Sequence, residues 1–354
     1  MIERLLNSLK KKKISAFLIT KIINVRYLSN FSGSNAQILL TKNNLYFLTD
    51  FRYLEQAEKE IGKEFQIIIY NDFYREMRKI VEKERIKTLW IENTVNYNEF
   101  FNLKKRLKNL NLKLAKNIIE NLRKIKKDDE VCYIKKSISI TENSLKNVSY
   151  YFDIKNLKLS EKEIALKIYN EMLIKGAEDI SFPLIVLSGK NSSLVHGKPG
   201  GDKIKDNILI DAGCKFKGYC SDKTISIILK KDSEMEKIFN IVKDAKNFAI
   251  EMIKPGIMIK DIDKRAREYI HKKGYGKFFG HSLGHGVGLE VHELPLISPK
   301  NKDILEAGNV ITIEPGIYLP EKFGIRLEDM ILVTEDGFKL LTTQAENFLR
   351  CLQA

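Results

Sequence analysis

Two stretches decide the architecture: Leu209-Ile-Asp211-Ala-Gly-Cys-Lys-Phe-Lys-Gly-Tyr-Cys-Ser-Asp222 and Ile313-Glu314-Pro-Gly-Ile-Tyr318-Leu-Pro-Glu-Lys-Phe-Gly-Ile-Arg326-Leu-Glu328. In each, an apolar run (207–210, 310–313) ends in an acid, a glycine-bearing turn follows, and a second acid comes after it. The midpoint between the two Asp lies between Phe216 and Lys217, with Gly213 and Gly218 to either side. A hairpin closed there sets Asp211 opposite Asp222. The midpoint of the second stretch is Glu321, inside a loop bounded by Pro and Gly, which sets Glu314 opposite Glu328.

Outward from these hairpins the pattern is α+β. Apolar runs at 184–187, 225–229, 325–333 and 338–341 read as further strands. Ser160 with Glu163 forms a capping box for a helix over 164–173 that stops at Gly176. Ser233 with Glu236 starts another, which ends before Pro255-Gly256. A change of texture near Asn121 leads into a long helix running to about Phe152, so the chain divides into 1–121 and 122–354. The first part alternates strands (14–20, 36–40, 46–49, 65–70, 88–91) with helices (53–61, 74–84, 97–107), the signature of an α/β domain. Residues 38–48 read as a hairpin in which Lys42-Asn43-Asn44 supplies a turn with positive φ at Asn.

Composition excludes several classes. The 354 residues are 44% hydrophobic and 30% charged, a globular balance with room for two domains. Sixty-one Lys and Arg against 46 Asp and Glu leave +15, which invites a nucleic-acid reading. Yet the lysines are scattered, and the densest run, Lys10 to Lys13, follows a face made by Ile2, Leu5, Leu6 and Leu9, so it ends a surface helix. No finger, basic zipper or aromatic RNA-binding strand accompanies the charge, and a nucleic-acid partner is not expected. Neither is a membrane: no apolar run approaches the ~18 residues a spanning helix needs. Cys132, Cys214, Cys220 and Cys351 form no Cys-x-x-Cys pair and read as reduced thiols of a cytoplasmic protein.

Of five histidines, His196, His281, His285 and His292 lie in glycine-punctuated strand and loop segments, while His271 falls on an ordinary helix and reads as a surface residue. Four carboxylates on facing strands repel one another, and their burial is tolerable only beside cations. Arg326 shares a face with Glu328 by the two-residue strand period and answers one charge. Four carboxylates and one neutral imidazole carry about −4, which two divalent ions neutralise. His285, between small residues that permit close approach, supplies the imidazole. Hard oxygen ligands favour Mn²⁺, with Co²⁺ and Zn²⁺ as alternatives.

The blocks Ile208-Leu-Ile-Asp-Ala-Gly, Gly218-Tyr-Cys-Ser-Asp, Gly280-His-Ser-Leu-Gly-His-Gly-Val-Gly-Leu-Glu-Val-His-Glu, Ile311-Thr-Ile-Glu-Pro-Gly-Ile-Tyr and Gly324-Ile-Arg-Leu-Glu-Asp resemble the five signature blocks of the pita-bread metallopeptidases. Within that superfamily the sequence is similar to the proline-specific branch, aminopeptidase P and prolidase. Tyr27-Leu-Ser-Asn-Phe-Ser-Gly-Ser-Asn-Ala and Leu48-Thr-Asp-Phe-Arg-Tyr-Leu-Glu-Gln-Ala resemble that branch's first domain. The resemblance implies a creatinase-like α/β N-terminal domain with a mixed sheet and flanking helices, then an α+β pita-bread catalytic domain, assembled as a homodimer. It implies that Asp211 holds one metal ion, His285 and Glu314 the other, and that Asp222 and Glu328 bridge them. His196 matches the substrate-side histidine, His281 and His292 flank the ligand histidine, and Arg326 and Tyr318 lie near the site. One departure stands out: where the family often has Arg then Thr after Thr224, this chain has Ile225 and Ser226.

The expected reaction is hydrolysis of the bond between an N-terminal residue and a following proline, in peptide substrates with proline second. In that reaction two ions held by the five ligands would supply Lewis acidity and a hydroxide nucleophile, Glu314 would move the proton to the leaving nitrogen, and His292 and His196 would steady the oxyanion. The alternative is an Xaa-Pro dipeptidase. A methionine aminopeptidase would share the ligands but lacks the first domain, His281 and the Gly-x-Arg-x-Glu block. A non-catalytic binding module would have lost ligand positions that are filled here.

Overall fold

The computed structural model describes residues 1–149 and 159–344, in two compact units, Met1–Arg123 and Lys124–Ala354. In chain order the first unit contains α1 (Ile2–Lys11), β1 (Phe17–Ile19), α2 (Ile22–Ser29), β2 (Ala36–Leu40), β3 (Leu45–Thr49), α3 (Leu54–Glu60), β4 (Gln66–Ile69), α4 (Phe73–Lys83), β5 (Thr88–Glu92), α5 (Tyr97–Arg106), β6 (Asn111–Ala115) and α6 (Ile118–Arg123). The strands form one mixed sheet in the order β4-β3-β2-β1-β5-β6. Leu18, Leu39, Leu48, Leu89 and Ile91 of the sheet pack with Met77 and Ile80 of α4 and Leu103 of α5. Strand β6 escapes sequence reading because it is a largely exposed edge with Lys113 in its middle.

Helix α2 also lacks a local signal, since its N-cap, Lys21, offers no capping side chain. The cap comes from β5 instead. Glu92 Oε2 accepts the backbone N–H groups of Thr20 and Lys21 at 2.8 and 2.9 Å, and its Oε1 accepts Asn24 Nδ2 at 2.5 Å. The 38–48 hairpin forms with Leu40 opposite Leu45, but neither Asn43 nor Asn44 takes a positive φ. Its four-residue turn is closed by Thr41, whose N–H donates to Asn44 O and whose hydroxyl accepts Asn44 N–H at 3.0 Å.

The second unit begins with α7 (Asp128–Ser149) and α8 (Glu161–Ile174). The expected end of α7 near Phe152, like Cys351, lies outside the described residues. Ser160 and Glu163 form the capping box on α8. Next come β7 (Asp179–Ile180), β8 (Ile185–Ser188), β9 (Asn207–Ala212), β10 (Cys214–Phe216), β11 (Tyr219–Cys220), β12 (Lys223–Ile228), α9 (Ser233–Ile250) and α10 (Ile259–Lys272). The N-cap of α9 is Asp232, which accepts Met235 N–H at 2.9 Å, one residue before the expected Ser233. The unit closes with β13 (Gly284–Gly286), β14 (Glu293–Ile297), β15 (Val310–Ile313), β16 (Gly316–Leu319), β17 (Phe323–Arg326), β18 (Asp329–Val333) and β19 (Phe338–Leu340).

These strands form a three-stranded sheet β12-β9-β8, a five-stranded sheet β14-β13-β15-β18-β19, a ladder β16-β17 and a small sheet β11-β10-β7. Helices α9 and α10 cover the larger sheet and the β16-β17 ladder through Ile238, Val242, Ile262 and Ala266 against Ile311, Ile313 and Ile331 of the former and Ile325 of the latter. Among the described residues no helix is long and apolar enough to cross a membrane.

The first hairpin departs from expectation. Its turn is Lys217-Gly218, at φ 51° and 79°, so Phe216 faces Tyr219 and Asp211 faces Thr224 rather than Asp222. Two consecutive positive-φ positions make a type I′ turn, and only the Lys-Gly step provides them. Moving the turn centre by one residue moves each partner by two, which leaves Asp222 and Thr224 on one face. The second hairpin keeps the expected register: Ile313 faces Asp329, Gly316 faces Arg326 and Glu321 sits at the loop centre with φ 58°. Its return arm is two strands, β17 and β18, broken at Leu327 and Glu328.

Candidate metal centre

The breaks in these strands gather the acids. Asp211 lies at the end of β9, Asp222 before β12, Glu314 after β15 and Glu328 before β18, all of them outside the middle of a ladder where a carboxylate would have to pack among apolar neighbours. His285 occupies the centre of β13. A Cβ added at Gly284 would meet Thr312 O at 2.0 Å, and one at Gly286 would meet Leu294 O at 2.2 Å, so glycines flank His285 because β15 and β14 press against its backbone.

Asp222, His285 and Glu328 each offer a ligand atom within 4.8 Å of the others. His285 Nδ1 is 3.1 Å from Gly286 O, an acceptor only, which puts a proton on Nδ1 and turns Nε2 toward the acids. That Nε2 lies 3.2 Å from Glu314 Oε1 and 3.6 Å from Asp222 Oδ2. Glu328 Oε2 accepts the Thr224 hydroxyl at 2.8 Å, while Glu328 Oε1 and Asp211 Oδ1 are buried with no hydrogen-bond partner. Two orphaned carboxylate oxygens beside an imidazole nitrogen turned toward the same acids fit divalent cations.

Electrostatics follows from this crowding. Burial, then Glu328, Asp211 and Glu314, push the Asp222 carboxyl well above its ordinary range. Burial and the charges of Glu314 and Asp211 raise Glu328 to about 8. Burial opposes ionisation of Glu314 too, but its hydrogen bond to His285 and the neighbouring His285, His281 and Arg326 hold it below the usual value.

Arg326 does not answer Glu328. Its Nη2 donates to Asp211 Oδ2 at 2.5 Å, Nε to Thr224 Oγ1 at 3.2 Å, and Nη1 to Tyr318 Oη at 2.9 Å. Strand β17 packs against β9 and β12, which brings Arg326 to Asp211 and Thr224. Tyr318 Oη is 3.1 Å from His281 Nε2, and His281 Nδ1 is 2.8 Å from Ser282 O, giving a chain from Arg326 through Tyr318 to His281. Burial lowers His281, which is therefore neutral at pH 7. His292 is exposed, with its ring 4.2 Å from that of His285. Burial of the ring and nearby His285 lower its value, with a smaller contribution from His196, which is also exposed. His271 is exposed on α10.

Some supporting residues carried no signal in sequence. Thr312 Oγ1 accepts His285 N–H at 3.1 Å. Ser226, at a departure from the family pattern, both donates to Arg326 O at 2.9 Å and accepts Arg326 N–H at 3.1 Å. Asp263 and Arg267 grip the segment carrying His281: Arg267 donates to Phe279 O and His281 O at 3.0 and 2.9 Å, and Asp263 accepts Leu283 N–H at 3.2 Å. An acid on the otherwise apolar face of Ile259, Ile262, Ala266 and Ile270 was the available clue.

Residues 132–335 match Metallopeptidase family M24, and residues 1–125 match the Creatinase/Prolidase N-terminal domain. The chain belongs to metallopeptidase family M24. This M24 chain is 37% identical over 345 residues to an Xaa-Pro dipeptidase of Pyrococcus horikoshii, covering 96% of each. An X-Pro aminopeptidase structure from Thermotoga maritima superposes with TM-score 0.87 at 36% identity, covering 95% of this chain and 97% of that one. A prolidase structure from Pyrococcus furiosus gives 0.85 at 34%, covering 95% and 98%. The fold is accordingly a creatinase-like N-terminal domain followed by the pita-bread catalytic domain of this hydrolase family, whose members use divalent metals.

Proposed function

We propose that this M24 peptidase hydrolyses the peptide bond between an N-terminal residue and a following proline, with Asp211, Asp222, His285, Glu314 and Glu328 holding two divalent ions. The orphaned Asp211 Oδ1 and Glu328 Oε1 beside His285 Nε2 carry the metal reading. Four carboxylates against a single imidazole nitrogen favour Mn²⁺ over softer ions. When bound, the ions supply Lewis acidity and, by lowering the pKa of water, a nucleophile at neutral pH.

The chain's own groups do the rest. Glu314, held below its ordinary value by its hydrogen bond to His285 and by Arg326, accepts a proton and returns it to the departing proline nitrogen. His292 and His196 donate hydrogen bonds to the oxygen of the attacked carbonyl. Neutral His281, aligned by Tyr318 and Arg326, borders the proline side, where a tertiary amide lacks the N–H that other peptidases engage.

We read the activity as that of an Xaa-Pro aminopeptidase, on the likeness to the Thermotoga maritima enzyme. A dipeptidase is the second reading, favoured by full-length relatives named Xaa-Pro dipeptidase at 37% and 35% identity. The Mn²⁺-loaded protein assayed on Ala-Pro and Ala-Pro-Ala separates them. Cleavage of the tripeptide at its first bond supports the aminopeptidase; cleavage of Ala-Pro alone replaces it with the dipeptidase, and cleavage of neither ends both.

A further inference from the structure

Behind the acids lies a second charged cluster. Lys223, Lys246 and Asp329 have side chains at most 1% exposed. Lys223 immediately follows Asp222, and Asp329 immediately follows Glu328. By strand alternation a residue and its successor point to opposite faces, so these two lie on the reverse side of the metal-facing pair.

There Lys223 Nζ uses all three donors: 2.6 Å to Asp329 Oδ1, 2.8 Å to the backbone oxygen of Glu328 and 2.8 Å to that of Thr343. Asp329 Oδ2 receives Lys246 of α9, and its Oδ1 also accepts the Thr342 hydroxyl at 2.9 Å. Glu142 of α7 holds the same segment, accepting Thr343 N–H at 2.6 Å and its hydroxyl at 2.9 Å.

Residue 328 is thus gripped on three levels. In front, Thr224 donates to its carboxylate; in the plane, its N–H donates to Thr224 O at 3.1 Å; behind, Lys223 donates to its carbonyl. These bonds join the end of one sheet to the start of a strand in another, where no continuous ladder sets the register. Sheet edges that meet without a ladder are free to slip, and a slip of one residue would turn Glu328 to the wrong face.

We propose that Lys223, seated by Asp329 and Lys246, is a positioning residue that locks Asp222 against Glu328 for metal binding. The proposal rests on the two-ion reading above. Its signature differs from a charge effect, because removing a lysine near a cation site would by itself tighten cation binding, whereas losing the lock weakens it.

The test is calorimetric titration of Mn²⁺ into chelator-stripped wild type, Lys223→Met, Lys246→Met and Asp222→Asn, with melting temperatures taken with and without Mn²⁺. The lock predicts ~10–100-fold weaker Mn²⁺ affinity for Lys223→Met, a smaller weakening for Lys246→Met, and a reduced metal-induced rise in melting temperature for both. Wild-type affinity in Lys223→Met, or tighter binding, overturns the lock even if the protein melts lower. Should Lys223→Met not fold, Lys246→Met decides by the same criterion. If stripped wild type binds no Mn²⁺, the two-ion reading fails and takes the lock with it; wild-type binding lost only in Asp222→Asn leaves that reading standing and removes the lock alone.

Discussion

Glu328 and Asp329 are neighbours in sequence, both buried, and their carboxyls shift in opposite directions. Burial and the nearby Glu314 and Asp211 raise Glu328 to about 8. Burial acts on Asp329 as well, yet Lys223 and Lys246 hold it below its ordinary value. One face of the strand concentrates acids and leaves oxygens unsatisfied; the other satisfies its acid with two ammonium groups. The contrast teaches that burial alone does not set a carboxylate's state: the charges it is buried with do. A face that keeps anions without partners is prepared for a cation, and a face that pairs them is structural.

The largest effect expected from breaking this contrast is on the acid face. Asp222→Asn removes a carboxylate from the metal side and should lower kcat/KM on an Xaa-Pro substrate by ~1,000-fold, the equivalent of several kcal/mol of lost metal assistance. The stripped variant should unfold in urea no more easily than wild type, because a repelling buried charge is gone. Unchanged hydrolysis with metal bound would remove Asp222 from the site.

On the paired face the outcome inverts. Asp329→Asn leaves two lysines buried without their anion and should cost ~3–5 kcal/mol of unfolding free energy in the same urea experiment. A loss no greater than that of Asp222→Asn would erase the distinction between the faces.

Glu92, in the first unit, sharpens the comparison from a third position, since N–H donors of Thr20, Lys21 and Asn24 meet it and the neighbouring charge that acts on it is that of another acid, Glu120. Burial raises its carboxyl despite the hydrogen bonds from Lys21, Asn24 and Thr20. A raised folded value means that its contribution is fully present below the unfolded value of ~4.3 and is lost as pH rises through the folded one. Wild type minus Glu92→Gln stability should therefore fall as pH rises above about 4. A difference that is flat or rises with pH would place Glu92 with the cation-paired acids.

The smallest effect belongs to the hydrogen-bond chain beside the metal face. Tyr318→Phe removes the link between Arg326 and His281 and should cost ~1 kcal/mol, read as a rise in KM of about fivefold. A wild-type KM would detach His281 from substrate.

Much of the site was legible because its signals are local. Apolar runs ending in acids, glycines around His285 and the Pro-bounded loop centred on Glu321 named all five candidate ligands and the register of the second hairpin. Where two local signals competed, turn geometry won. The positive-φ requirement at Lys217 and Gly218 outweighed symmetric placement of Asp211 and Asp222, since backbone sterics act on every molecule and carboxylate symmetry serves only the bound state.

Sequence alone thus determined the candidate ligands and the strands that carry them, through periodicity and turn preference acting over a few positions. Tertiary structure alone decided their partners: that Arg326 answers Asp211, that Thr224 holds Glu328, that Glu92 caps a helix 70 positions away, and that Lys223 and Lys246 converge on Asp329. Such pairings join segments from 68 to 115 residues apart. They form only when packing has already placed both groups in a dry interior, where an unpaired charge is too costly to keep, and no local pattern encodes that.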